Sequence, residues 1–458
     1  MSCLPQKKEE KLRLPSTSVS ILKKQYESKR IHTENNAVAK PSVLFSRDVS
    51  VVDLVKMARE TMSQGSSNIS QDSDDADYEM SQNLDLVLSL QAAALNFSRQ
   101  KFDQARNLLR FCQCYASHNG TPLQRVVYYF TEALQEGIAA EKGEMSFQEP
   151  QKGSKTSPPI IESFTNLLSA MVEYDETLPF CPVTQFTAIQ ALLDNLGSAR
   201  RVHVVDFGIR SGTQWPILMQ ALLNRQECPL EYLKITAVGT SIEMMEKTGK
   251  ELSSFAESLN MSFVFKMVVS DLKNLEKHFF ELAPNETLAV YSELRLATLL
   301  AWPHHLVSVL ETIKKLRPKV IVITEVDSST NAPVFLDRFN ASLSLSAAMF
   351  DSLDVCMKQK SESRAIIEGV FLRQSISYLV TSKGDESMHR QESVGFWRTL
   401  FRKFNIFEMA LSNCALYQAT LMVKSDPRWS SCTLERNGKG LTVGWKGTPV
   451  FSLTVWKC

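Results

Sequence analysis

Residues 202–216 read Val202-His203-Val204-Val205-Asp206-Phe207-Gly208-Ile209-Arg210-Ser211-Gly212-Thr213-Gln214-Trp215-Pro216. Val202 to Asp206 is a short apolar run ending in an acid. Glycines follow at 208 and 212, and Trp215-Pro216 opens a helix. A buried parallel strand that runs into a glycine loop and then a helix has this pattern. In nucleotide-fold enzymes such a turn holds the cofactor. Here Arg210 stands where those enzymes have their middle glycine, and a long cationic side chain enters the space a ligand needs.

Downstream of this turn the pattern alternates. Strands are predicted at 202–206, 232–238, 263–269, 287–291 and 320–324. Helices are predicted between them at 214–223, 243–259, 272–282 and 297–316. Near-continuous apolar strands separated by helices give a parallel α/β sheet. Long helices follow at 335–357 and 363–379. Beyond them come a helix at 395–403, an extended stretch at 404–409, a helix at 415–423, and strands near 433, 441–445 and 450–456. Asn437-Gly438 stands where a hairpin turn is expected, so the sheet closes on an antiparallel edge.

Upstream the pattern is helical. Leu84, Leu88 and Leu95 recur at helical spacing, and Phe102–Cys112, a Thr121-Pro122 start for 123–138, 160–174 and 182–196 complete a helical lobe. Residues 1–83 are read as a mostly disordered arm. It contains a short amphipathic helix at 49–62 and a polar, acidic linker at 63–82. The ordered body is therefore 84–458, with a helical cap at 84–196 and an α/β core at 197–458 that has room for cap insertions.

Composition narrows the function. The 458 residues carry 44% hydrophobic and 22% charged side chains and a formal net charge of +1, so global charge makes no case for nucleic acid or membrane. No apolar run approaches the roughly 18 residues that span a bilayer, and the amino terminus has no apolar secretory segment. Nine scattered cysteines without a Cys-x-x-Cys pair fit a reducing compartment and no zinc site.

The order of motifs resembles the GRAS-domain family of plant transcriptional regulators. Val202–Asp206 is similar to that family's VHIID motif, and Gly212, Gln214, Trp215 and Pro216 to the segment after it. Pro333, Arg338, Phe339 and the run Phe350-Asp351-Ser352-Leu353 resemble its PFYRE region. Trp397, Trp445 and Trp456 resemble the tryptophans of its SAW region, with Thr454-Val455-Trp456 in place of Ser-Ala-Trp. Arg373-Gln374 replaces the expected Arg-Glu pair, and the stretch Met388–Gln391 is poorer in acid than the family pattern. The first residues carry no DELLA-type motif, so no gibberellin role is assigned. The resemblance implies a Rossmann-like, methyltransferase-type sheet with an antiparallel edge under a helical cap. It implies a nuclear protein, also present in the cytoplasm, that docks to other GRAS proteins or transcription factors as a homo- or heterodimer, in plant development or signalling. Leu84, Leu88 and Leu95 are the candidate partner surface.

Two other functions compete. A methyltransferase or small-ligand sensor needs a glycine where Arg210 stands and an acid after the second strand, which instead ends Val238-Gly239-Thr240-Ser241. No cofactor is therefore expected. Asp271, placed for an adenine contact, equally makes a helix N-cap. Glu325 and Asp327 could form an acid-base pair, and the bland alternative is that they cap Ser328–Asn331 and the next helix. His203 could be a base, but within a buried strand it reads as a hydrogen-bonded core residue. Asp206, Gly208 and Gly212 are read as architectural, with the aspartate accepting from loop amides. A direct DNA reader rests on the basic carboxyl-terminal region, with Arg428, Arg436, Lys439 and Lys446 as candidate contacts. Lys314-Lys315-Leu316-Arg317-Pro318-Lys319 fits either a nuclear-import cluster or a helix end complemented by cations.

Overall fold

The computed structural model describes residues 49–64, 75–144, 160–382 and 390–458. Its centre is β1 (Arg201–Phe207), flanked by β2 (Tyr232–Gly239) and β4 (Thr287–Glu293) in parallel. β3 (Phe263–Val269) and β5 (Val320–Val326) extend the parallel sheet on either side. β9 (Thr448–Lys457) then pairs antiparallel with β5, and β8 (Gly440–Trp445) and β7 (Cys432–Asn437) follow as a hairpin. The order is β3-β2-β1-β4-β5-β9-β8-β7, with β6 (Phe407–Met409) also pairing with β9. This is the doubly wound, methyltransferase-type sheet with an antiparallel edge that the sequence leads one to expect.

Side chains alternate between two apolar clusters. Val202 and Val204 face one, while Val205 and Phe207 face the other. The first cluster packs α6 (Phe180–Leu196), α7 (Gln214–Leu223) and α8 (Ile242–Ser258) and continues into the cap. The second packs α9 (Pro303–Leu316) and α13 (Val394–Lys403). The predicted 272–282 helix is two short 3₁₀ turns instead, Leu272–Asn274 and Lys277–Phe280, drawn tightly under α9. The predicted 297–316 helix breaks at Trp302. Pro303 cannot donate an N–H, so it starts α9 and leaves a separate 3₁₀ turn at Leu296–Leu299. The hairpin turn is one residue later than expected, at Gly438-Lys439, because Asn437 still pairs with Gly440.

The cap is built from both sides of the sheet sequence. α2 (Asp75–Ser98), α3 (Phe102–Tyr115), α4 (Pro122–Lys142) and α5 (Ile160–Thr177) precede β1. Thr121 caps α4 with a full capping box, as its Thr-Pro start suggests. α10 (Phe335–Cys356) follows β5 and packs on α2 and α4. α11 (Ser361–Ile366) and a π-helical turn (Ile367–Leu372) pack on α5, and α12 (Arg373–Thr381) packs on α4. Arg125 of α4 is buried against Glu368 of the π turn, Nε to Oε2 3.0 Å.

Two readings of the amino-terminal region are corrected. Asp75–Gln82, assigned to the linker, opens α2, and Ser63-Gln64 closes α1 (Val51–Gln64). α1 is also no part of a solvated arm, since Val51, Val52, Leu54, Val55 and Ala58 are buried and the helix packs on α10. Its apolar stripe packs on α2 and α10, so tertiary contact overrides the polar composition around it. The disorder expected for residues 1–48 and for the middle of the linker lies outside the described residues.

Leu54→Ala is expected to lower the unfolding free energy by about 2–5 kcal/mol, as a large-to-small change in a packed core. A chain begun at Leu84 is expected to melt below the full chain. Urea denaturation and thermal melting check both, and equal stability of the full and shortened chains would mean that α1 contributes nothing to the core.

Candidate functional site at the carboxyl edge of the sheet

Three neighbouring parallel strands end in buried acids: Asp206 on β1, Glu293 on β4 and Glu325 on β5. Asp206 Oδ2 accepts from the Trp215 indole N–H at 3.0 Å and from Gln214 Nε2 at 3.4 Å. The expected loop-amide donors are thus replaced by two side chains of the first turn of α7. Burial, only partly offset by the Trp215 bond, raises the Asp206 carboxyl to about 8. Glu325 is likewise raised to about 8 by burial, although its Oε1 accepts from the backbone N–H groups of Arg295 (3.1 Å) and Leu296 (2.7 Å).

The glycine loop is closed by the chain's own arginines. Gly208 has φ +105° and Gly212 φ +67°, so both use backbone freedom that other residues lack. A side chain at Gly208 would meet Arg295, whose Nε, Cδ and Cγ come within 2.4–2.7 Å of where a Cβ would be. Arg210 turns toward the cap. Its Nη1 is 3.3 Å from Asp175 Oδ2, and its Nη2 is 3.9 Å from Glu293 Oε2 and 3.7 Å from Cys181 Sγ. Gln185 Nε2 donates to both Glu293 oxygens at 3.3 Å. Burial raises the Asp175 and Glu293 carboxyls and the Cys181 thiol, with Arg210 opposing all three shifts. These residues do not fit an S-adenosylmethionine cradle. Arg295 covers the glycine face, Arg210 is committed to acids, and β2 ends without an acid, Ser241 serving as N-cap of α8.

The other candidates disperse. Asp271 N-caps the turn that follows it. Glu325 and Asp327 both cap, though not the segment expected. Glu325 serves the Leu296–Leu299 turn, and Asp327 accepts from Val394 N at the start of α13 (3.0 Å) and from Thr442 Oγ1 (3.2 Å). His203 is a fully buried core residue, its Nε2 2.8 Å from Thr236 Oγ1. Leu84 is buried and is no surface, whereas Leu88 and Leu95 are half-buried. The basic candidates divide between the two ends of the β7–β8 hairpin. Arg428 is paired with Asp426 (2.6 Å) and Lys446 with Asp351 (2.9 Å) at one end. Exposed Arg436 and Lys439 stand at the other, some ~15 Å away along a six-residue strand.

A model of the GRAS domain family matches residues 86–457. The chain belongs to the GRAS domain family. It is 29% identical over 378 residues to the DELLA protein GAI1 of Vitis vinifera, a match covering 81% of this chain and 61% of that one. It is 30% identical over 396 residues to the DELLA protein DWARF8 of Zea mays, covering 81% and 60%. The chain thus spans less than two thirds of the length of these relatives. The crystal structure of SCL7 from Oryza sativa superposes with a TM-score of 0.73 at 27% identity, covering 81% of this chain and 99% of that one.

The GRAS motif residues tie the core to the cap. Trp445 donates its indole N–H to Asp351 of α10 at 2.6 Å, so the SAW and PFYRE regions meet in one bond. Trp456 donates to Thr454 Oγ1 at 2.9 Å and packs edge-on against Phe401, which also touches Trp397. Phe339 packs on Phe130 of α4, and Arg338 Nη1 holds the carbonyls of Ala332 and exposed Pro333 at 2.9 Å. Arg373 keeps ion pairs despite the Gln374 replacement, using Glu132 (3.5 Å) and Glu136 (3.3 Å) of α4. Asp175, Cys181, Gln185, Glu293 and Arg295 escaped the sequence reading. The run Tyr291-Ser292-Glu293 ends a strand as Asp206 does and was a readable signal. Asp175 had none, being joined to the loop only through the fold.

Asp206→Asn retains an acceptor for Trp215 but no titrating proton. With the folded value near 8 and an unfolded value of about 3.9, the group's contribution to stability is full below pH 4 and is lost as pH rises through 8. Urea denaturation from pH 5 to 8 is therefore expected to give a shallower decline for Asp206→Asn than for the native chain. Asp206→Ala leaves the buried indole N–H unanswered, at about 1–3 kcal/mol. Parallel curves for the native and Asn chains would place the proton elsewhere.

Proposed function

We propose that this GRAS protein is a nuclear transcriptional regulator, also present in the cytoplasm. It acts by docking to other GRAS proteins or to DNA-binding transcription factors in plant development or signalling. The observation that carries this reading is the filled carboxyl edge: Arg295 lies across Gly208, and Arg210 pairs with Asp175. An edge knitted together by its own side chains supports a scaffold rather than a methyl-transferring enzyme, since function resides in the site and not the fold. Among the described residues no helix is long and apolar enough to cross a membrane.

Docking of this kind uses apolar anchors on helices. The cap offers half-buried Leu88 and Leu95 on α2, and exposed Leu168 and Val172 one turn apart on α5. Direct DNA reading draws less support, because Arg428 and Lys446 are already paired with acids and the four basic candidates do not share one face end.

The test is a thermal melt of the full chain with saturating S-adenosylmethionine or S-adenosylhomocysteine. An unmoved midpoint is expected. A ligand at a hundred times its dissociation constant would add about 2.7 kcal/mol and would restore the enzyme or sensor reading. In a reporter assay, Val172→Asp is expected to abolish the chain's effect on transcription while leaving its melting midpoint unchanged. Tight duplex binding that falls steeply with salt would favour the DNA reader instead.

A further inference from the structure

His203 and Lys234 are direct partners across β1 and β2, on the face of the sheet away from the cap. Both are buried within largely apolar strands, where charge is poorly solvated. Glu286 answers them. Its Oε2 lies 3.4 Å from Lys234 Nζ and 3.1 Å from His203 Nδ1, and Lys234 also donates to the Glu281 carbonyl at 2.7 Å. Burial holds the His203 ring down at about 4, so it is neutral at pH 7. Lys234 and Glu286 then cancel, and the cluster carries no net charge.

His203 and Glu286 line a cavity of about 300 Å³ that has Leu282, Leu288 and Leu316 in its wall. It opens at the amino ends of β1, β4 and β5, the opposite edge of the sheet from the Gly208 loop. Arg317 and Lys319 complete its lining. Both are exposed, and neither has a carboxylate within 4 Å among the described residues. Arg317 ends α9 in a left-handed conformation, φ 52°, and buried Pro318 stiffens the link to Lys319, whose N–H is tied to the Leu288 carbonyl at 2.8 Å. A neutralised floor, an apolar wall and an uncompensated cationic rim together suit one chemistry. We propose that this cavity binds a compact amphipathic acid, its carboxylate or phosphate held by Arg317 and Lys319 and its apolar body set chiefly against Leu282, the exposed one of the three leucines. This gives Arg317 and Lys319 a use that neither nuclear import nor the helix dipole supplies.

Calorimetric titration of the full chain with phenyl phosphate, benzoate and inorganic phosphate tests the site. The two aromatic acids are expected to saturate one site per chain, the tighter of them naming the preferred head group. Inorganic phosphate, having no apolar body, is expected to bind at least about tenfold more weakly. The double variant Arg317→Gln/Lys319→Gln is expected to lose about tenfold or more in affinity with its melting midpoint unchanged, since both side chains are exposed and unpaired. Three results would each overturn the proposal: no saturable heat with any probe, equal binding of inorganic and phenyl phosphate, or unchanged affinity in the double variant.

Discussion

A carboxyl group buried at the end of the central strand must be answered by donors that arrive with it. Asp206 meets this demand through Gln214 and Trp215, eight and nine residues further along the chain, which fixes the first turn of α7 over β1. The same indole packs edge-on to Tyr291 of β4, 5.1 Å between centroids, so the bond also sets the relation of two strands to one helix. Glu325 makes the corresponding link one strand further on by capping the turn after β4. Glu293 reaches instead to Gln185 of α6. The carboxyl edge is therefore held by a row of strand-end acids, each satisfied by a different part of the chain. A buried acid left unanswered would be destabilising, so loop, helix and cap have to form together.

The cap and core are joined by the same logic at longer range. Asp351, inside a helix that follows the fifth strand, takes both the Trp445 indole N–H and the Lys446 ammonium from the last hairpin. Trp429 donates to the Thr177 carbonyl at 2.9 Å, linking the carboxyl-terminal region to the helix before the sheet begins. These bonds are few and directional, and the apolar surface around them supplies the bulk of the driving force. In a platform closed in this way the carboxyl edge of the sheet is filled by Arg210 and Arg295.

Much of the core was legible because it depends on local pattern. The Val-rich runs of β1 and β5, the Thr121 cap, the Asp271 cap and the antiparallel closing strands were all readable from residue type and spacing. Arg210 was legible as an obstruction, though the sequence could not say that Asp175 and Glu293 would hold it. The burial of α1 was not legible, because one of the two helices it packs on is α10, almost three hundred residues later. Leu84 was misread as surface for a related reason: helical periodicity marks a face to be covered without saying what covers it.

The sequence by itself determined the parallel sheet, its antiparallel edge, the helical cap, the family motifs and the departure from the methyltransferase glycine pattern at Arg210. These follow from period, apolar content and the chemistry of single residues, which act over a few positions. Tertiary structure alone decided which donors satisfy Asp206, where Glu325 and Asp327 act, that Arg295 covers Gly208, and that Arg317 and Lys319 rim a cavity above His203. Each of these joins residues distant in the chain, and a side chain's partner there depends on distances that only the packed fold defines.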